Sequence, residues 1–291
     1  MSIYKLNYRP YAGNVTPLWM RIVVLARYGL AEAWSSKITI GLLVFSLLPP
    51  IVFLLIIYLT NNPLARALIG AGGSKALAID ASFFAIILQV QCWLALALAS
   101  WVAPRLITFD LADNVLPILL SHPVTRFGYV LGKFVALMSV LSLVTWIPAL
   151  LLFVYEGYTS PVPWFASNLQ IGIGLLAGAM IWITFLSILG LALSSWVKWR
   201  VVATGIIFAA VFVPAGVGAI VSGVLRTKWG LLLNLPVMMS LLWRRILGAP
   251  DVIRQDFNLP TNSIIVMLVL GCLLFVAMLN ARIRAREVVK G

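Results

Sequence analysis

Ile107 to Lys133 reads ITFDLADNVLPILLSHPVTRFGYVLGK, a polar island set between two long apolar runs. Working outward, 81–103 lies before it and 131–155 after it, and each is long enough to cross a bilayer core that needs roughly 20 apolar residues per helix. The same template fits 38–59, 169–194, 201–224 and 263–279. With 63% hydrophobic and only 10% charged residues, the chain lies far from the balance of a soluble domain. The expected fold is an all-α integral membrane protein of six transmembrane helices. It forms a single membrane domain over 1–291.

Charge placement orients that domain. Arg66, Lys75, Arg226, Lys228, Arg244, Arg245 and Arg254 fall on one side, and the remaining two thirds of the 21 Lys and Arg fall on the other. The positive-inside rule makes the richer side cytoplasmic and puts both termini there. The island 104–130 is then a cytoplasmic loop. A net charge of +13 would point to nucleic acid in a soluble chain. Here the cations flank apolar spans, so anionic lipid headgroups answer them and no nucleic acid is needed.

Thr16 and Pro17 read as an N-cap and a first helical residue, opening an amphipathic helix over 15–36. Trp19, Val23, Ala26, Leu30 and Trp34 recur at spacings of three and four, while Arg21, Tyr28, Glu32 and Ser35 take the other side. With Arg27 also among its cations, the helix is expected to lie in the membrane interface. Arg21 and Arg27 interrupt the run that a cleaved leader would need, so none is expected. Glycines 70, 72 and 73 mark an outer loop. Gly174 and Gly178 form a GxxxG pair, and Pro148 and Pro214 are candidate kinks. The segment 225–262 holds Asn234, Pro236, Arg244 and Arg245, and is expected to be an interfacial or re-entrant element on the outer face.

Chemistry-bearing patterns are few. His122 is the only histidine, and Cys92 and Cys272 lie singly within spans, so no metal set or catalytic site is expected. The run Gly128 to Phe134 ends Gly-Lys-Phe, one residue short of a phosphate-binding loop and lacking its hydroxyl. The spans carry no ionisable residue deep inside, whereas self-powered carriers usually hold buried charges or broken polar helices. The island itself mixes Asp110, Asp113 and Asn114 with Leu111, Val115, Leu116, Leu119 and Leu120. Such a pattern fits a groove on a soluble partner, or a solvated loop that only joins two helices.

The core Leu-Leu-Ser-His-Pro-Val-Thr-Arg at Leu119 to Arg126, Leu-Gly-Lys at Leu131 to Lys133 and the Arg-Ala-Arg-Glu-Val-Val ending at Arg284 to Val289 resemble ABC-2 type transporter permeases. The layout resembles that family along the whole chain. The motif likeness is confined to the island and the tail, and Asp110, Asp113, Asn114 and Pro117 depart from the common pattern there. The resemblance implies a permease subunit, an exporter, paired with a second copy or a paralogue and seated on ABC ATPase subunits. ATP and Mg would be bound by those partners and no cofactor by this chain. A coupling helix would run through Phe109 to Ser121, with docking residues Phe109, Asp110, Leu111, Asp113, Val115, Leu116, Leu119, Leu120, His122 and Arg126. The expected location is the cytoplasmic membrane of a bacterial cell. The competing readings are a membrane scaffold and an ion-coupled carrier.

Overall fold

The computed structural model describes residues 17–65, 78–112, 125–160, 164–251 and 259–288. All its longer elements are helical, in the order α1 (Leu18–Trp34), α2 (Lys37–Ser46), α3 (Leu48–Asn61), α4 (Ala81–Ala112), α5 (Arg126–Val144), α6 (Trp146–Thr159), α7 (Trp164–Ser167), α8 (Leu169–Trp196) and α9 (Arg200–Leu225). A 3₁₀ turn at Lys228–Leu233, α10 (Leu235–Leu247) and α11 (Thr261–Val288) complete the set. Among the described residues six stretches are long and apolar enough to cross a membrane, Lys37–Asn61, Ala81–Thr108, Arg126–Thr159, Leu169–Trp196, Arg200–Leu225 and Thr261–Arg282. This is a multi-pass membrane architecture.

Proline chemistry sets the breaks. Pro49 and Pro50 have no N–H to give to the carbonyls four residues back, so the first span parts at Leu47 into α2 and α3. The third parts at Thr145, whose φ and ψ are −100° and −91°, three residues ahead of Pro148. The buried Thr145 hydroxyl donates back to Leu141 O at 2.9 Å, so the break leaves no hydroxyl orphan. Pro104, by contrast, is carried inside α4. The Ser100 carbonyl that a residue-104 N–H would have taken receives the Thr204 hydroxyl at 2.9 Å instead. A neighbouring helix thus closes the gap, and α4 continues to Ala112, into the island expected to be loop.

Helix α8 is the hub. It packs against α4, α5, α6, α9, α10 and α11, and 67% of its span window is buried against 17% for the last span. Close approach relies on small residues: a Cβ on Gly190 would lie 2.9 Å from the Ala103 Cβ of α4. At mid-depth the Trp182 indole donates to Cys92 O at 2.9 Å, and the Trp243 indole donates to Gly178 O at 3.1 Å. Those two rings meet edge to face at 5.8 Å. The GxxxG pair therefore receives α10, with Trp243 over Gly178 and Ile246 and Leu247 over Gly174. Along α10 Met238, Met239, Leu241, Leu242 and Trp243 are buried, which seats this short helix among the spans. Residues such as Val44, Ile51, Val213, Ile220, Val269 and Leu273 face outward on α2, α3, α9 and α11. That apolar belt is what hydrocarbon would cover.

Helix α1 begins at Leu18, with Pro17 in the extended cap position and no side-chain cap. Thr16 lies outside the described residues. The expected apolar stripe divides: Ala26 and Leu30 turn toward the bundle together with Gly29 and Ala33, while Trp19, Val23 and Trp34 point outward, Trp19 62% exposed. Glu32, expected on the polar side with Tyr28, instead faces α5.

Candidate functional site

A cluster of charged and hydroxyl groups lies at one rim of the bundle, where α1, the end of α4 and the start of α5 meet. Two glycines make the meeting possible. A Cβ on Gly132 would lie 2.7 Å from the Leu25 Cβ, and one on Gly29 would lie 2.9 Å from the Ala136 Cβ. So α1 crosses α5 at close to backbone contact, and Glu32, one turn on from Gly29, arrives beside Lys133.

Lys133 is only 7% exposed, and a buried ammonium must be paired. Its Nζ lies 2.8 Å from Asp110 Oδ2 and 3.8 Å from Glu32 Oε2. The Tyr129 hydroxyl donates to the same Asp110 oxygen at 2.8 Å. Tyr129 and Lys133 are neighbours at i and i+4, and Nζ sits 5.8 Å from the ring centroid. Burial pushes the Glu32 carboxyl up from its ordinary value, Lys133 pulls it back, and Asp110 pushes it up again. Asp110 is therefore the main counter-ion and Glu32 a secondary one.

Further ties fix the other helix ends of this rim. Thr108 Oγ1 donates to Ser194 O at 3.3 Å, joining α4 to α8. Arg282 Nε donates to Ser195 O at 3.2 Å, and its guanidinium lies 5.2 Å from the Trp196 ring centroid, joining α11 to α8.

The predicted docking residues are divided. Asp110 is the lysine's partner, Phe109 and Leu111 lie on the last turns of α4, and Arg126 opens α5 behind Thr125, whose side chain accepts from Gly128 N. Asp113, Val115, Leu116, Leu119, Leu120 and His122 lie outside the described residues. Of the α1 set, Trp19, Val23, Arg27 and Trp34 are exposed and Arg21 and Leu30 half-buried.

Sequence reasoning missed Glu32 as a partner of Lys133. Its signal was the spacing to Gly29 on one face of α1. It also missed Glu156 at the opposite rim, which it placed just beyond a span ending at residue 155. Glu156 belongs to α6 and is 3% exposed. It accepts from Asn61 Nδ2 at 2.7 Å and from the Ser160 hydroxyl, and Asn61 also reaches Thr159 Oγ1 at 3.0 Å. A lone acid closing an apolar run was the available signal. Among the described residues no three of His, Cys, Asp and Glu gather as a metal site would require. No family model matches the chain, and no curated protein matches it.

Proposed function

We propose that the chain is the membrane-spanning permease subunit of an ABC-2 type exporter, not an enzyme by itself, driven by separate ATPase subunits that dock on the segment between α4 and α5. One observation carries this reading: the two helix ends that bracket 113–124 are pinned to each other through Asp110, Tyr129 and Lys133, and to α1 through Glu32. A push on the island would then move α4, α5 and α1 together instead of being lost in a slack loop. Two such chains, or one and a paralogue, would form the path. ATP closing the partner subunits would bias it, since a ligand shifts a conformational equilibrium by its differential affinity for the two states. The interfacial helix α1 would carry the same movement along the membrane surface.

The test is purification of the tagged chain from its native membrane in mild detergent, with mass identification of the soluble protein that accompanies it. A stoichiometric companion carrying a phosphate-binding loop is expected. Leu116→Asp and Leu119→Asp are each expected to abolish that association while leaving membrane insertion intact; normal association by both sinks the docking assignment. A second reading, an ion-coupled carrier, draws on Glu156, whose partners Asn61 and Ser160 are neutral. It predicts gradient-driven uptake by the isolated chain in liposomes that Glu156→Gln abolishes.

A further inference from the structure

Beside the Lys133 cluster, at the same rim, a separate cavity of about 390 Å³ opens between the starts of α2 and α9 and the last third of α4. Ser36, Trp101, Arg105, Arg200 and Thr204 supply its polar lining. Its chemistry is one-sided. The Arg200 guanidinium lies over the Trp101 ring at 6.0 Å, so two arginines share one small space. Arg105 donates from Nη2 to Ser35 Oγ at 3.4 Å, but among the described residues its Nε finds no acceptor, and neither does the Trp101 indole Nε1. Helix α9 starts at Arg200 with no side-chain cap, so its first-turn N–H groups add further donors. Glu32 is a carboxylate whose charge reaches both arginines, but it is shared with Lys133 at 3.8 Å and does not line the cavity. Buried donors without acceptors and adjacent like charges are costly unless an anion answers them.

We propose that this cavity binds the phosphate group of an anionic membrane lipid. Guanidinium forks match the planar pairs of phosphate oxygens, and an uncapped helix start favours the same charge. The lip decides between lipid and soluble anion: Ile38 and Val201 border the cavity and are 53% and 81% exposed. Apolar side chains turned outward beside a phosphate site are a place for acyl chains. The cavity rests on its own residues and stands whether or not the chain is an ATP-driven permease.

The test is native mass spectrometry of the full chain with dioleoylphosphatidylglycerol against dioleoylphosphatidylcholine, as detergent is raised to strip lipid. One phosphatidylglycerol is expected to stay on after phosphatidylcholine has left. Arg105→Gln and Arg200→Gln should each weaken its retention about tenfold, the scale of one lost charge-assisted hydrogen bond. Arg126→Gln, a cation at the same rim but outside the cavity, should leave it unchanged. Equal loss in all three variants would mean general attraction to a basic protein and overturns the site, as does no loss in any. Should the Gln variants fail to fold, Arg105→Lys and Arg200→Lys keep charge without the fork, and undiminished retention in both overturns it equally. Millimolar inorganic phosphate that displaces the lipid keeps the anion site but moves its source to solution. Lipid that stays keeps the source in the bilayer.

Discussion

Among the described residues Lys133 has two carboxylates within reach, and their geometry ranks them. Asp110 lies at 2.8 Å and is steadied by the Tyr129 hydroxyl, whereas Glu32 stands at 3.8 Å with nearly a third of its side chain exposed. Removing the partner of a buried charge costs about 3 to 5 kcal/mol, against 0 to 1 for an exposed pair. Asp110→Asn is therefore expected to lose about 3 kcal/mol, the low end because Glu32 remains, whereas Glu32→Gln, which removes a charge that burial already disfavours, is expected to lose nothing at neutral pH. Thermal unfolding in detergent reads both. The pH dependence has a definite sign. Burial raises the folded-state value of Glu32 above its ordinary 4.5, so the folded protein holds that proton more tightly than the unfolded chain. Its contribution is complete below the unfolded value and is lost as pH rises through the raised folded one. Glu32→Gln copies the protonated form, so the wild type should lose stability relative to it between acid and neutral pH; a gap that widens in the wild type's favour would refute the assignment.

Among the helices, the glycines separate contact from exposure. A Cβ on Gly132 would meet Leu25 Cβ at 2.7 Å and Ile22 O at 3.4 Å, neither of them the loose end of a side chain. Gly205 of α9 has nothing within 4 Å. Gly132→Leu should thus lift α1 off α5 and cost about 1 to 3 kcal/mol by overpacking, while Gly205→Leu should be silent in the same melt. Limited proteolysis should cut α1 faster in the first variant only. The sequence made part of this legible. Gly174 and Gly178 announced a close approach, but their partner is the short α10, because the motif specifies small size and says nothing about which helix arrives. Pro148 is a candidate kink and lies just beyond a break; Pro104, the first residue of the expected loop 104–130, lies inside a helix, because Thr204 of a distant segment donates to the carbonyl it frees. That compensation is a tertiary event with no local trace.

For the whole molecule, six spans were legible because bilayer thickness imposes a length that composition alone can meet. Which face of each span meets protein was not, since side chains facing lipid and side chains facing other helices are equally apolar. On α1 the stripe of Trp19, Val23, Ala26, Leu30 and Trp34 is uniformly apolar, yet two of its members enter the bundle and the others look outward. Helices α4 and α11 show the same limit, both apolar all round, with half of one span window and 17% of the other buried. Direction across the membrane rests on charge instead. The ends of α4 and α8, the starts of α5 and α9 and the Arg282 end of α11 share one rim, with Arg105, Arg126, Arg200 and Arg282 on it. That rim is expected to be cytoplasmic. With Cys92 and Cys272 replaced by serine, a cysteine at Ser2 or Lys290 should be shielded from a membrane-impermeant maleimide in intact cells and react after lysis. A cysteine at Ser74, between the first two spans, should react from outside. The opposite pattern would turn the Lys133 cluster and the arginine cavity outward, and an ATPase could not then reach the segment between α4 and α5.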